Sequence, residues 1–161
     1  MKMRPLALVF AGGLLAAPAF ADNPREFLQE ALKGDNSEIM LGSLAQQKGD
    51  SRDVKRYGRI LVSDHTKARA EVLSVGRQFG LRGDRRVADE ARDEREKLSH
   101  MRRPEFDREF VHYMAEDHQK DVNAFRDEAH ERHGRVSRLA ETQLPVLEKH
   151  LRMAMAMDRR R

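Results

Sequence analysis

The strongest constraint on the fold is a helical rhythm that recurs four times, each time with one ligand-type side chain on or beside the apolar stripe. Phe27, Ala31, Gly34, Glu38, Leu41 and Ala45 alternate steps of four and three, the spacing that lines one face of an α-helix. Val54, Tyr57, Leu61, His65, Ala68, Val72, Val75 and Phe79 form a second stripe, and Phe106, Phe110, Val111, Met114, His118, Val122, Phe125 and Ala129 a third. The last runs through Val136, Leu139, Ala140, Gln143, Leu144, Leu147, Leu151 and Ala154, with His150 beside Leu147 and Leu151. No segment alternates apolar and polar residues with a period of two, and no glycine-rich phosphate loop is present. The pattern predicts an all-α fold: an up-down four-helix bundle whose long middle connection carries a short extra helix.

Local signals place the boundaries. Asn23-Pro24-Arg25-Glu26 reads as a cap, a first-turn proline and an acid three residues after the cap. The first helix is expected to stop at Gly49 in the left-handed conformation. Asp50-Ser51 caps a second helix that runs to Gly80. In the connection from Gly80 to Arg103, the charged segment from Ala88 to Leu98 predicts a surface helix with Val87, Ala91 and Leu98 to bury. Pro104 opens the third long helix, which fades through His130 and His133 and stops at Gly134. Pro145 falls inside the last helix, where its missing amide predicts a kink.

The chain starts Met1-Lys2-Met3-Arg4, continues with an apolar run from Leu6 to Ala17, and reaches Ala19-Phe20-Ala21. A basic start, a short apolar middle and a small-x-small site read as a signal peptide over 1–21, leaving 22–161 as one helical domain, periplasmic or secreted. The apolar run is too short for a membrane span. There is no cysteine, which excludes a lipoprotein anchor, disulfides, thiolate metal sites, c-type haem and cysteine nucleophiles. Removing Lys2 and Arg4 takes the 31 basic residues to 29 against 27 acidic ones, and their interspersion reads as solvated helix faces rather than a nucleic-acid surface. Arg159-Arg160-Arg161 reads as a solvated tail. An envelope protein or a second copy of the chain would be a compatible partner.

Asp64-His65-Thr66-Lys67 and Asp117-His118-Gln119-Lys120 repeat one short pattern on two helices. Burying a polar side chain without a partner costs about 1–3 kcal/mol, so each of Glu38, His65, His118 and His150 needs a partner. If they meet at one level of the bundle they can satisfy one another by hydrogen bonds or share a metal ion, and if the histidines lie near the helix rims they reach water. Neutral imidazole is the commonest metal ligand, and bundle cores accommodate such sites. Asp64 and Asp117 have the character of groups that orient a ligand, although each points about 100° around the helix from the histidine it precedes. A carboxylate-bridged di-iron centre uses Glu-x-x-His on two helices; here Val62, Ala115 and Leu147 occupy the positions three before the histidines. The reading is therefore one transition-metal ion at a histidine-rich site, with no haem, no nucleotide and no assigned catalytic residue; a buried hydrogen-bonded His/Glu layer in a structural or partner-binding bundle is the alternative. His130-x-x-His133 and the methionines Met153, Met155 and Met157 are weaker metal candidates, read first as a helix terminus and as core filler. No serine, histidine and acid arrangement suggests a hydrolase.

These residues also carry a resemblance. Glu38 with Leu41-Gly42-Ser43-Leu44-Ala45, Val54-Lys55, Asp64-His65-Thr66-Lys67, Glu105-Phe106-Asp107-Arg108, Asp117-His118-x-Lys120-Asp121 and Leu144-Pro145-x-Leu147-x-x-His150-Leu151 resemble a bacterial domain-of-unknown-function family. It comprises exported, ferritin-like proteins, often labelled outer-membrane or periplasmic. The resemblance spans about residues 25 to 155. It implies a ferritin-like bundle with a long middle crossover and an exported protein with an envelope or stress-related role, and it puts Glu38, His65, His118 and His150 at the family's core motif positions.

Overall fold

The computed structural model describes residues 23–159; the signal-peptide reading of residues 1–21 lies outside them. The described residues form five α-helices and no strand: α1 (Pro24–Lys48), α2 (Arg52–Gly76), α3 (Asp89–His100), α4 (Arg103–His130) and α5 (Arg135–Asp158). None of these helices is long and apolar enough to cross a membrane.

Asn23 starts α1 as its sequence suggests, its side-chain oxygen accepting from the amides of Arg25 and Glu26 at 3.1 and 3.3 Å. The Ser51 hydroxyl caps α2 through the Val54 amide at 3.2 Å. Gly49 behaves differently from expectation. It ends α1 at φ −48° and ψ 141°, outside the left-handed region. Glycine is required there by proximity: a Cβ would lie 2.6 Å from the Ala45 carbonyl oxygen and 3.0 Å from Val54. Among the described residues, the glycines at positive φ are Gly80 and Gly134, at 72° and 63°. Helix α2 ends at Gly76, earlier than its stripe suggested, and a 3₁₀ turn over Arg77–Phe79 carries the chain to Gly80. The Gly80 amide bonds back to Arg77 and the Leu81 amide to Gly76, at 3.1 and 3.0 Å, closing the helix end in the Schellman manner. Helix α5 continues through Pro145 as one helix; the proline is exposed.

Helices α1 and α2 pack as one hairpin and α4 and α5 as another, with α2 against α5 and α1 against α4 joining the two. Within the first hairpin the backbones nearly touch: a Cβ on Gly58 would lie 2.5 Å from the Gly42 carbonyl oxygen. The crossover between the hairpins is held down by polar contacts. Asn36 donates to the carbonyls of Asp84 and Arg86 at 3.2 and 2.8 Å, Arg69 to that of Asp84 at 2.9 Å, and the Ala88 amide to the Ser37 hydroxyl at 3.0 Å. The Lys48 ammonium donates to the terminal carbonyls of α3 at Leu98 and Ser99 and to Met101. The Asp107 carboxylate accepts from the amides of Asp50 and Ser51 at 2.8 and 2.9 Å, tying the start of α4 to the α1–α2 turn.

The core is divided in two. One apolar cluster gathers Phe27, Leu28, Leu32, Val72, Val122, Phe125, Val136 and Leu147; the other gathers Leu41, Val54, Tyr57, Leu61, Phe106, Phe110, Met114 and Ala154. Each fully buried large apolar side chain contributes about 1.5–3 kcal/mol. On every long helix buried polar residues lie between the clusters: Asp35, Ser37 and Glu38 on α1, His65 on α2, His118 on α4 and His150 on α5. Four registers that could slide independently have therefore brought their polar interruptions to one level.

Candidate metal centre

Each of the four residues sits in mid-helix, where backbone direction is well fixed, and all are enclosed: Glu38, His118 and His150 have no exposed surface, and His65 has 4 %. The ring centroids lie 5.8 Å apart for His65 and His118, and 5.3 Å for each of the other two pairs. One nitrogen can be taken from each ring such that all three lie within 4.8 Å of one another. A metal–nitrogen distance of about 2.0–2.1 Å implies tetrahedral nitrogen separations of about 3.3 Å, so the rings would close by up to about 1.5 Å around an ion.

Glu38 reaches two of the rings without bonding to either. Its carboxyl oxygens are 4.0 Å from His65 Nε2 and 3.8 Å from His118 Nδ1. The four residues do not hydrogen-bond one another. Instead each ring is fastened from outside through one nitrogen. His65 Nδ1 meets Asp35 Oδ1 at 2.9 Å, His118 Nδ1 meets the Met114 carbonyl at 3.0 Å, and His150 Nε2 meets Asp64 Oδ2 at 3.0 Å. The remaining nitrogens, His65 Nε2, His118 Nε2 and His150 Nδ1, have no hydrogen-bond partner, nor has either oxygen of Glu38. With protons assigned from these partners, His118 carries its proton on Nδ1 and His150 on Nε2; His65 carries its proton on Nδ1 when Asp35 is ionised. The remaining nitrogens then present lone pairs. A ligating histidine held through its other N–H by a carboxylate or carbonyl is the usual arrangement at metal sites.

The electrostatics keep the cluster neutral in the absence of an ion. Burial lowers His65 and His150 to about 4, against partial compensation by Asp117 and Asp64 for the first and by Asp64 for the second. Burial, and then the two neighbouring histidines, push His118 well below its usual value. Burial raises Glu38 well above the carboxylate range, and Asp117, Asp121 and Asp35 raise it further. Burial also opposes ionisation of Asp64, but its contacts with His150 and Lys149 outweigh this and hold it below the usual range.

The two aspartates that precede the histidines do different things. Asp64 fastens His150, across the bundle, rather than its neighbour His65. Asp117 faces Glu38, near enough to raise it; the partner of His118 is the Met114 carbonyl. Asp35, which fastens His65, was not singled out by the sequence, although it lies one helical turn before Glu38 and so on the same face. Nor was Tyr57, whose hydroxyl donates to the His150 carbonyl at 3.1 Å and whose ring packs 6.5 and 6.3 Å from His118 and His150.

The weaker candidates are used elsewhere. Helix α4 ends at His130, so His130 and His133 do not share a helix face; His133 Nδ1 instead meets the buried Glu128 carboxylate at 3.0 Å. Met157 is buried in the second apolar cluster, Met153 packs against it, and Met155 is exposed.

The fold is shared with a solved structure, "Crystal structure of DUF305 fragment from Deinococcus radiodurans", at a TM-score of 0.74 and 18 % identity, over 86 % of this chain and 96 % of that one. No curated protein matches the chain. Residues 11–157 match the family described as "Domain of unknown function (DUF4142)", and the chain belongs to that family.

Proposed function

We propose that this protein is an exported, ferritin-like bundle that holds one transition-metal ion in its core, in a non-catalytic role such as storage, sensing or protection of the envelope. The observation that carries this reading is the set of three enclosed imidazoles, each tethered through one nitrogen and bare at the other, beside a carboxyl group with two bare oxygens. Leaving several buried polar atoms unmatched costs about 1–3 kcal/mol each, and a coordinated ion removes that cost. His65, His118 and His150 would supply three ligands and Glu38 a fourth. Three imidazoles with one carboxylate, and no thiolate, suit a borderline divalent ion such as zinc, cobalt, nickel or oxidised copper. Export rests on the pattern of residues 1–21, and the ferritin-like relationship on the core motif positions and the long crossover.

The test is metal content by mass spectrometry on untagged protein recovered from the periplasm, with His118→Ala alongside. Near-stoichiometric metal in the parent and none in the variant is the expected result. Equal absence of metal in both, with the variant merely less stable, would replace this reading with a structural or partner-binding bundle.

A further inference from the structure

A cavity of about 900 Å³ enters the bundle between the two hairpins, and His65 and His150 form part of its wall. Its lining is acidic: nine carboxylates against four lysines. Three of the acids, the buried Asp35 on α1 and the half-buried Asp117 and Asp121 on α4, lie near enough to Glu38 for their charges to raise its carboxyl. Of the bases that act on them, Lys120 faces Asp117 and Asp121, and Arg69 faces Asp35. Arg69 is itself occupied by Asn36 and the Asp84 carbonyl. Acids gathered in this way could simply be a solvated wall, but a second observation points inward. Asp35 is only 6 % exposed, lines the cavity, and has one oxygen, Oδ2, without any hydrogen-bond partner. Glu38, one helical turn on from Asp35, is fully enclosed, and neither of its oxygens has a hydrogen-bond partner.

We infer that this cleft is the route by which a hydrated divalent cation reaches the three histidines, passing Asp121 and Asp117 before Glu38 hands it to the imidazole nitrogens. The inference rests on the metal-binding reading of the centre and adds to it a direction of approach and a class of cargo. A cleft with an excess of one charge sign and low-dielectric walls concentrates the opposite charge and speeds association, by about 10–10³-fold where the excess is strong, an effect that salt suppresses. Carboxylate oxygens also replace lost water ligands one at a time, so a cation sheds its hydration gradually. Asp121 fastens none of the three rings, each of which has another partner, so it is the residue whose removal separates passage from binding.

The experiment is stopped-flow uptake and chelator-driven release of zinc, with Asp121→Asn and the double variant Asp117→Asn, Asp121→Asn compared with the parent and with His118→Ala. A route residue changes both rates together. Uptake and release are expected to slow about tenfold or more in Asp121→Asn, with the equilibrium affinity within about threefold of the parent and a flatter dependence of uptake on salt. Unchanged rates in both variants would overturn the route and leave the site standing. Weaker affinity through faster release would make Asp121 a ligand and likewise overturn it. If the parent takes up no zinc, or His118→Ala takes it up equally well, the site itself falls and the route with it.

Discussion

Asp64 precedes His65 in the chain, yet its carboxylate accepts a hydrogen bond at 3.0 Å from His150, 86 residues away and on another helix. The bond fastens the His150 ring through Nε2 and leaves Nδ1 without a hydrogen-bond partner. His65 is held in the same way from α1 by Asp35. Removing such a partner from a ligating histidine typically costs ten- to a hundredfold in metal affinity. Asp64→Ala and Asp35→Ala should each weaken zinc binding by that factor in calorimetric titration, whereas Asp127→Ala, an exposed acid at the cavity rim, should leave it within about twofold.

Glu38 is a carboxyl group enclosed in the core, with Asp117 close enough to raise it and no hydrogen bond to any of the three histidines. A side chain so placed is retained at the expense of the metal-free fold. Glu38→Gln is expected to raise the melting temperature of the chelator-treated protein by a few degrees, the equivalent of about 1 kcal/mol. The same variant should weaken zinc binding at least tenfold. A fall in melting temperature without zinc would show that the carboxyl is instead part of what holds the bundle together.

The histidines give the metal-free protein a defined response to acid. In the unfolded chain they take up protons as the pH falls through about 6.5, while in the fold burial keeps His65 and His150 neutral down to about 4. Between those values the unfolded state binds more protons, so stability falls with the pH by at most about 1.4 kcal/mol per unit for each histidine. The raised carboxyls of Asp35, Glu38 and Asp121 act in the opposite sense: their contribution is present below the unfolded carboxylate value and is lost as the pH rises through their folded ones. Urea unfolding in the presence of chelator from pH 4.5 to 6.5 should give a shallower acid-side slope for the His65→Gln, His150→Gln double variant than for the parent.

Two glycines of α1 and α2 should answer oppositely to the same substitution. A Cβ at Gly58 would lie 2.5 Å from the Gly42 carbonyl oxygen and 3.0 Å from Ala45, whereas at Gly34 it would meet nothing within 4 Å. Gly58→Ala should lower unfolding free energy by about 1–3 kcal/mol through a forced backbone shift. Gly34→Ala should raise it by about 0.5–1 kcal/mol, the difference in helix propensity. Denaturant midpoints measure both.

Helical class and helix faces were legible in the chain because a 3.6-residue repeat converts spacing directly into direction. Phe27 through Ala45 and Val54 through Val75 needed nothing else to reveal which side meets the core, and the same repeat put Glu38, His65 and His118 on that side, with His150 beside it. Spacing carries no information about axial level or about neighbours on other helices. That Glu38, His65, His118 and His150 share one layer was decided by how α1 pairs with α2, Gly42 against Gly58, and by how the two hairpins dock, through contacts such as Asp107 on the α1–α2 turn. Docking of the hairpins turned Asp64 toward His150, and the pairing of α1 with α2 brought Asp35 to His65, while His118 bonds the Met114 carbonyl of its own helix. A side chain about 100° from its neighbour on one helix finds its partner only when a second helix arrives, so the ligand types belong to the sequence and their orientation to the tertiary packing.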